Sequence, residues 1–361
     1  MISRDADIAA VEFASGDGDI HRIDGPKLEA YLIANLDGFH GALTIRRLKG
    51  GASNPTYLLT EDDGAAVRRY VLRKKPPGPL LASAHQIERE FRAMAALRGT
   101  NVPVPVARLL CEDPEVIGTS FYIMDFLEGR IFHDPRLPGM EAAERTAVYD
   151  GLVAVMAQLH LVDFGKAGLG DFGRQGNYFA RQLARWTKQY RDAQTAYIPA
   201  MEELIATLPA LAPIDDVTVV AHGDFRLENI MFHPTEPRPI ALLDWELATL
   251  GNPLADLAYA CIGYHADIQW FGTLHGVDFA ASGIPKEEEF VAAYCRLTGR
   301  GRIDNWNFYV AFALFRLASI AQGVFRRGRD GIGTGHLGGE RNAAPQIAAY
   351  GLAALTGDKA W

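Results

Sequence analysis

Two short apolar runs, Val219–Ala221 and Ile230–Phe232, are parted by His222-Gly223-Asp224-Phe225-Arg226-Leu227-Glu228-Asn229, and a third, within "PIALL", ends in Asp244-Trp245-Glu246. Apolar runs this short, bounded by polar residues, read as buried strands. Polar side chains inside a core need partners, so such insertions belong where strands end. The pattern predicts strand ends that deliver Asp224, Asn229 and Asp244 to one edge. The plain alternative is a polar turn with no chemistry.

The rest of the chain has to supply a fold around that edge. "PKLEAYLIANL" reads as a helix with Pro26 in its first turn, and "ALTIRRL", "TYLLT" and "AVRRYVLR" as strands, with "EDDGA" as a hairpin turn. The amphipathic "AHQIEREFRAMAALRG" is a helix stopped at Gly99, and "VPVPVARLLCE" and "TSFYIMDFLEG" are two more strands. Beyond them, "EAAERTAVYDGLVAVMAQLHLV", "YFARQLARWTKQYRDA", "PAMEELIATL", "PLADLAYACIGY", "KEEEFVAAYCRL", "NWNFYVAFALFRLASIAQGVF" and "AAPQIAAYGLAAL" carry helical spacing. The expectation is an α+β chain of two lobes. A sheet lobe takes residues 1–126, its first 25 or so a loose lead-in, and a mostly helical lobe takes 127–361, with the junction near Phe126–Gly129.

Two carboxylates and a carboxamide converging form a hard-oxygen site suited to Mg²⁺, which keeps waters and binds phosphate oxygens. Asn229 and Asp244 are the expected metal ligands, and Asp224 is free to orient a hydroxyl nucleophile. Arg226 is placed to offset charge on a transferring phosphoryl group. A lone HGD is weak, but the ordered set His222, Asp224, Asn229, Asp244 matches the kinase template of a catalytic loop followed by a metal-binding Asp at a strand end. The first lobe carries the matching parts. Gly50, Gly51 and Ser53 can meet ATP phosphates. Arg73 ends the third strand, with Lys74 and Lys75 as alternative cations. Glu90 shares a helix face with Ile87, Met94 and Leu97, and a charge there needs a partner, so it is expected to pair with Arg73, while Glu88 is expected in solvent. Asp125 to Leu127 would offer backbone groups to adenine. His222 reads as a hydrogen-bonding support and His160, on an apolar face, as a packed core residue.

"HGDFRLEN" and "LLDWELATLGNPLADLAY" make the chain resemble the aminoglycoside phosphotransferase and choline kinase group, which shares the two-lobed protein-kinase fold. Within it, "GGASNPTYLLT", "VLRKKPPG" and "CEDPEVIGTSFYIMDFLEGR" are most similar to the kinase-like domain fused to, or encoded beside, acyl-CoA dehydrogenases. The resemblance implies ATP and Mg²⁺ as cofactors, Asp224 as catalytic base, and Asp256 as a brace of the catalytic loop. Asp256 reads equally well as an ordinary carboxylate favoured at a helix N-terminus. The resemblance also implies a hydroxyacyl-CoA acceptor and a functional link to an acyl-CoA dehydrogenase. Trp245-Glu246 and the lack of a later A-P-E depart from protein kinases, which favours a small-molecule acceptor.

Composition narrows the partners. With 361 residues and a formal charge of -8, the chain shows no basic stripe and is expected to bind no nucleic acid. Its longest apolar segments, such as "GLVAVMAQLHLV", are expected to fall short of a membrane span. The N-terminus has no signal-peptide pattern, and Cys111, Cys261 and Cys295 lack metal spacing, so a cytoplasmic protein with reduced, buried thiols is expected. An aminoglycoside is a polycation and should meet an acid-rich pocket. Acids and bases balance from Gly251 onward, and Arg326, Arg327 and Arg329 cluster, which suits an anionic thioester better. Tyr264, Trp270, Trp306 and Tyr309 are candidates for an acyl pocket. An antibiotic phosphotransferase, and a catalytically weak kinase-fold binding module, are the alternatives.

Overall fold

The computed structural model of the protein describes residues 23–48, 54–76, 86–214, 217–331 and 341–357. The chain runs α1 (Gly25–Asn35), β1 (Ala42–Arg47), β2 (Thr56–Asp62), β3 (Val67–Lys74), α2 (Ile87–Leu97), β4 (Ala107–Cys111), α3 (Pro114–Ile117), β5 (Phe121–Asp125) and β6 (Arg130–Ile131). It continues through α4 (Ala142–His160), α5 (Tyr178–Ala193), α6 (Pro199–Leu211), β7 (Val219–Ala221), β8 (Ile230–Phe232), β9 (Pro239–Leu242) and β10 (Thr249–Gly251). The last helices are α7 (Pro253–Ala260), α8 (Phe279–Ser282), α9 (Glu287–Thr298), α10 (Trp306–Arg329) and α11 (Ala344–Thr356).

Two compact units result. One runs to Ile131 and takes back Met231–Glu236 and Ile240–Leu247; the other holds the remainder. This grouping differs from the expected 1–126 and 127–361 in two respects: the first boundary falls at Ile131, and two later segments return to the sheet unit. The strand pairing of β6 with β8, and the hydrogen bond of the Leu242 N–H to the Pro103 carbonyl at 2.7 Å, draw those two later segments back to the sheet unit. The segment that carries Asp244 therefore belongs with residues far upstream.

In the sheet unit, five antiparallel strands take the order β1-β2-β3-β5-β4. The β2–β3 hairpin is set by its turn. Asp62 Oδ1 accepts the Gly64 N–H, Asp63 Oδ1 accepts those of Ala65 and Ala66, and Gly64 takes φ +81°. Leu28, Leu32, Tyr57, Leu59, Leu72, Phe121 and Ile123 fill one core of this unit.

The second unit is organised by α10, against which α5, α6, α7 and α11 pack. From Phe308 to Ala318 its residues are buried on every face, and all of them but Arg316 are apolar or aromatic. Contrary to the sequence expectation, this helix is long and apolar enough to cross a bilayer; however, 72% of its most apolar window is buried inside the protein. Its buried polar side chains have partners: Ser319 donates to the Phe315 carbonyl, and Gln322 donates to the Ala193 carbonyl. Cys111 and Cys261 are buried free thiols as expected, but Cys295 is half-buried.

Candidate functional site

Residues 222–229 form the loop that β7 feeds. Gly223 turns it with φ +83°, a left-handed conformation that a side chain would strain. Asp256, in the first turn of α7, holds the main chain on either side of that turn. Its Oδ2 accepts the His222 N–H at 2.6 Å and its Oδ1 the Gly223 N–H at 2.9 Å. His160 Nε2 lies 3.3 Å from the same Oδ2, and its Nδ1 is hydrogen-bonded to the Tyr294 hydroxyl at 2.8 Å. Asp256 is 1% exposed. Burial alone would raise its pKa, but the hydrogen bond and charge of His160, the nearby His222 and the Gly223 N–H hold it below the usual carboxylate value. Of the two readings the sequence leaves open for Asp256, the brace is the one observed. His160 is buried as expected, but it sits in a polar relay rather than an apolar pocket.

From the other side, the Gly223 carbonyl accepts a hydrogen bond from Arg316 Nη2. The Arg316 guanidinium lies over the rings of Trp186, at 5.4 Å, and Tyr259, at 4.9 Å. One cation in the middle of an otherwise apolar helix was the available signal for this residue. Asp224 is half-buried. Its N–H donates to His222 Nδ1 at 3.3 Å, which makes His222 the expected support. Asn229 Nδ2 donates to the Asp224 carbonyl at 2.8 Å and to Asp224 Oδ2 at 2.9 Å. Both amide hydrogens of Asn229 are thereby used, which leaves its carboxamide oxygen as an acceptor. Burial of the Tyr259 phenol, together with the negative charge of Asp224, pushes the phenol pKa up. Tyr259 escaped the sequence reading because it looks like one more apolar position of α7. Arg226 is paired with Glu228 and lies 4.8 Å over the Phe271 ring.

The sheet unit has its own hub. Arg73 Nη1 meets Glu90 Oε2 at 3.0 Å and Nη2 meets Asp244 Oδ1 at 3.1 Å. Glu90 also accepts from Asn54 Nδ2 at 2.9 Å and from the Tyr122 hydroxyl at 2.9 Å. Burial alone would lower the Arg73 pKa, but Tyr122, Glu90, Asp244 and Glu246 hold it above its usual value. The buried Arg73 Nε–H finds no acceptor among the described residues. Asp244 takes φ +61°, uncommon outside glycine but reached by Asp. The turn that presents it is fixed by Trp245, 1% exposed, whose Nε1 donates to the Leu242 carbonyl at 3.0 Å, and by α2 packing on residues 245–247.

Of the three cations left open, Arg73 is therefore the one on Glu90. Lys74 is buried with its ammonium 5.6 Å from the Tyr57 ring centroid, and Lys75 pairs with Glu88, which is not simply solvated as expected. Gly51 and Ser53 lie outside the described residues. The Asp125 N–H is committed to the Val106 carbonyl and that of Phe126 to the Arg69 carbonyl, while the Asp125 carboxylate pairs with Arg108. The Asp125 and Phe126 amides are thus committed, and these bonds leave the Asp125 carbonyl and the Leu127 backbone untouched. Arg326, Arg327 and Arg329 are exposed in the last turn of α10, with Arg326 tied to Asp330 at 2.7 Å. That makes them a solvated helix end favoured by the dipole rather than a pocket wall. Tyr309 is buried among Phe179, Phe308 and Trp306, and Trp270 is 40% exposed. Asp224 and Asn229 lie in one unit and Asp244 in the other. Among the described residues, no group of three His, Cys, Asp or Glu is arranged to hold a metal ion.

Comparison with known proteins adds a consistent set of relatives. The profile of the phosphotransferase enzyme family matches residues 44–306. Acyl-CoA dehydrogenase family member 10 of Mus musculus is 48% identical over 309 residues, which is 84% of this chain but only 28% of that protein. A crystal structure from Ralstonia eutropha, whose aminoglycoside phosphotransferase label is provisional, is 45% identical with a TM-score of 0.84, covering 93% of this chain and 99% of that one. The ternary complex of streptomycin, ATP and APH(2'')-IIa is 14% identical and shares the fold, with a TM-score of 0.54 over 94% of this chain and 97% of that one.

Proposed function

Because this chain belongs to the phosphotransferase enzyme family, we propose that it transfers the γ-phosphoryl group of ATP to the hydroxyl of a hydroxyacyl-CoA. It is a phosphotransferase with an alcohol group as acceptor, and its α+β fold is that of the aminoglycoside phosphotransferases. The observation that carries the reading is the clamping of Asp224. Its side chain is held by Asn229, and its loop by Asp256 and Arg316. A carboxylate fixed in this way and half-open to solvent suits a general base for a hydroxyl.

In this reading Arg73, kept charged by Glu90 and with an unused Nε–H, contacts the ATP phosphates, together with Gly51 and Ser53. Asp125, through its carbonyl, and Leu127 offer backbone groups to adenine. Arg226, paired with Glu228 and lying over Phe271, offsets charge on the transferring phosphoryl group. The Asn229 carboxamide oxygen and the Asp244 carboxylate are each a hard oxygen donor of the kind Mg²⁺ takes beside waters and phosphate oxygens. Held by such donors, Mg²⁺ would neutralise charge on phosphate oxygens.

ATP is favoured by its presence in the complex that shares the fold. The thioester acceptor, and a working link to an acyl-CoA dehydrogenase, are favoured by the likeness to a protein named for that enzyme family. The provisional Ralstonia label favours an aminoglycoside instead. A side-by-side ADP-release assay decides. Turnover of a hydroxyacyl-CoA with negligible turnover of a kanamycin-type aminoglycoside is expected. Faster turnover of the antibiotic would overturn the acceptor, and tight ATP binding without turnover of any alcohol would mark a binding module.

A further inference from the structure

The helical unit holds a cavity of about 1140 Å³, larger than the 300–1,000 Å³ or so of common small-molecule pockets. Its charge is uneven. Lys286, Arg296, Arg300 and Arg302 line it, against the acids Glu287 and Glu288. Glu287 is already engaged, since its Oε1 meets His265 Nε2 at 2.7 Å and accepts the Trp306 Nε1–H at 2.9 Å. Arg296 and Arg302 are exposed and have no carboxylate partner among the described residues. Arg296 lies in the last turn of α9, where the helix dipole alone would favour a cation. Arg300 and Arg302 lie beyond the helix, which ends at Gly299 with φ +66°, and the dipole does not account for them.

The same cavity is lined by apolar groups, among them Leu274, Val277 and Ile303, with the rings of Tyr264 and Trp306. A second cavity, of about 50 Å³, is lined by Arg226, Leu227 and Glu228 of the catalytic loop and by Tyr259. The two cavities share Tyr264 and Leu274 as a common wall.

We propose that the large cavity holds the phosphate-bearing end of the acceptor, with Arg296, Arg300 and Arg302 as the residues that select a CoA thioester over a neutral or cationic alcohol. This rests on the thioester reading above. A ligand with phosphates at one end and an acyl chain at the other matches a cavity lined by both cations and apolar groups, and the shared Tyr264 and Leu274 connect it to the catalytic-loop cavity. Charge-assisted hydrogen bonds to the guanidinium groups supply the selection.

The test compares wild type with the double variant Arg296→Glu/Arg302→Glu, both exposed positions, on a hydroxyacyl-CoA and on the same acyl group carried by pantetheine, which has no phosphate. The variant should raise KM for the CoA thioester about tenfold or more, as loss of hydrogen bonds to charged groups does, and leave KM for the pantetheine thioester and for ATP unchanged. Arg326→Glu/Arg327→Glu is the control and should change none of the three. An unchanged CoA-thioester KM in a wild type that does turn the thioester over would overturn the cavity assignment and spare the acceptor reading. If wild type phosphorylates no thioester, the acceptor reading fails, and calorimetric titration with CoA alone still decides the cavity. Binding lost in the double variant would uphold it; no binding by wild type would overturn it.

Discussion

Each unit has a charged hub, half-buried Arg73 in one and buried Asp256 in the other, but these residues hold different things. In the sheet unit, Arg73 holds side chains, with Glu90 on one nitrogen and Asp244 on another. In the helical unit, Asp256 holds backbone, the N–H groups of His222 and Gly223. A charge pair fixes where a charge sits, and a partner that leaves exposes the other charge without changing the path of the chain. A carboxylate on two successive amides fixes the path itself. The first hub should therefore respond to ligand, salt and conservative substitution in graded steps, while the second should behave as present or absent. The backbone conformations fit this division. Gly223 turns beside its brace with φ +83°, whereas Asp244 holds φ +61° as a side-chain-bearing residue that its neighbours must maintain.

Removing the carboxylate that the backbone brace presents should have the largest effect. Asp224→Asn is expected to lower kcat by about a thousandfold, within the range of general-base catalysis, with ATP affinity by calorimetry nearly unchanged. Turnover close to wild type would detach the loop from the chemistry.

Next comes the brace. Asp256→Ala leaves two buried N–H groups and His160 without their acceptor, at about 1–3 kcal/mol for each unsatisfied group, and should lower both the urea midpoint and kcat. Since the folded pKa of Asp256 lies below its unfolded value of about 4, its contribution is fully present above that value and is lost as pH falls through the folded one. Stability measured from pH 7 to 5 should then show no loss traceable to Asp256. A loss in that window that disappears in the Ala variant would contradict the direction of its shift.

A smaller and graded effect is expected in the sheet unit. Glu90→Gln keeps the shape but removes the charge opposite Arg73, and should raise KM for ATP several-fold while kcat changes less. A variant that instead unfolds would show that the charge pair, like the brace, holds the fold. Asp244→Ala should weaken ATP binding mainly in the presence of Mg²⁺, and equal weakening without the cation would assign Asp244 to folding. The smallest effect belongs to neither hub. Arg326→Ala breaks an exposed pair with Asp330 and should change stability by less than about 1 kcal/mol, as thermal unfolding would report.

The sequence by itself determined what is encoded within a few turns of chain. The span of α5 follows from its apolar spacing, the β2–β3 hairpin from Asp62-Asp63-Gly64, and the face of α2 that points Glu90 inward from its positions relative to Ile87, Met94 and Leu97. The ordered His222, Asp224, Asn229 and Asp244 were legible for the same reason, since each sits at the end of a short apolar run. β10 and α3 were not, since Thr249-Leu250-Gly251 and Pro114-Glu115-Val116-Ile117 do not stand out as apolar runs bounded by polar residues, as the equally short β7 and β8 do. Tertiary structure alone decided which distant groups meet. Asp256 reaches the His222 N–H across 34 residues, Arg316 reaches the Gly223 carbonyl across 93, and Asp244 reaches Arg73 across 171. Periodicity says which face of an element is buried, but not what is packed against it. A buried carboxylate, guanidinium or imidazole gains its role from the partner that satisfies it, and that partner is chosen by packing over distances at which local sequence carries no signal.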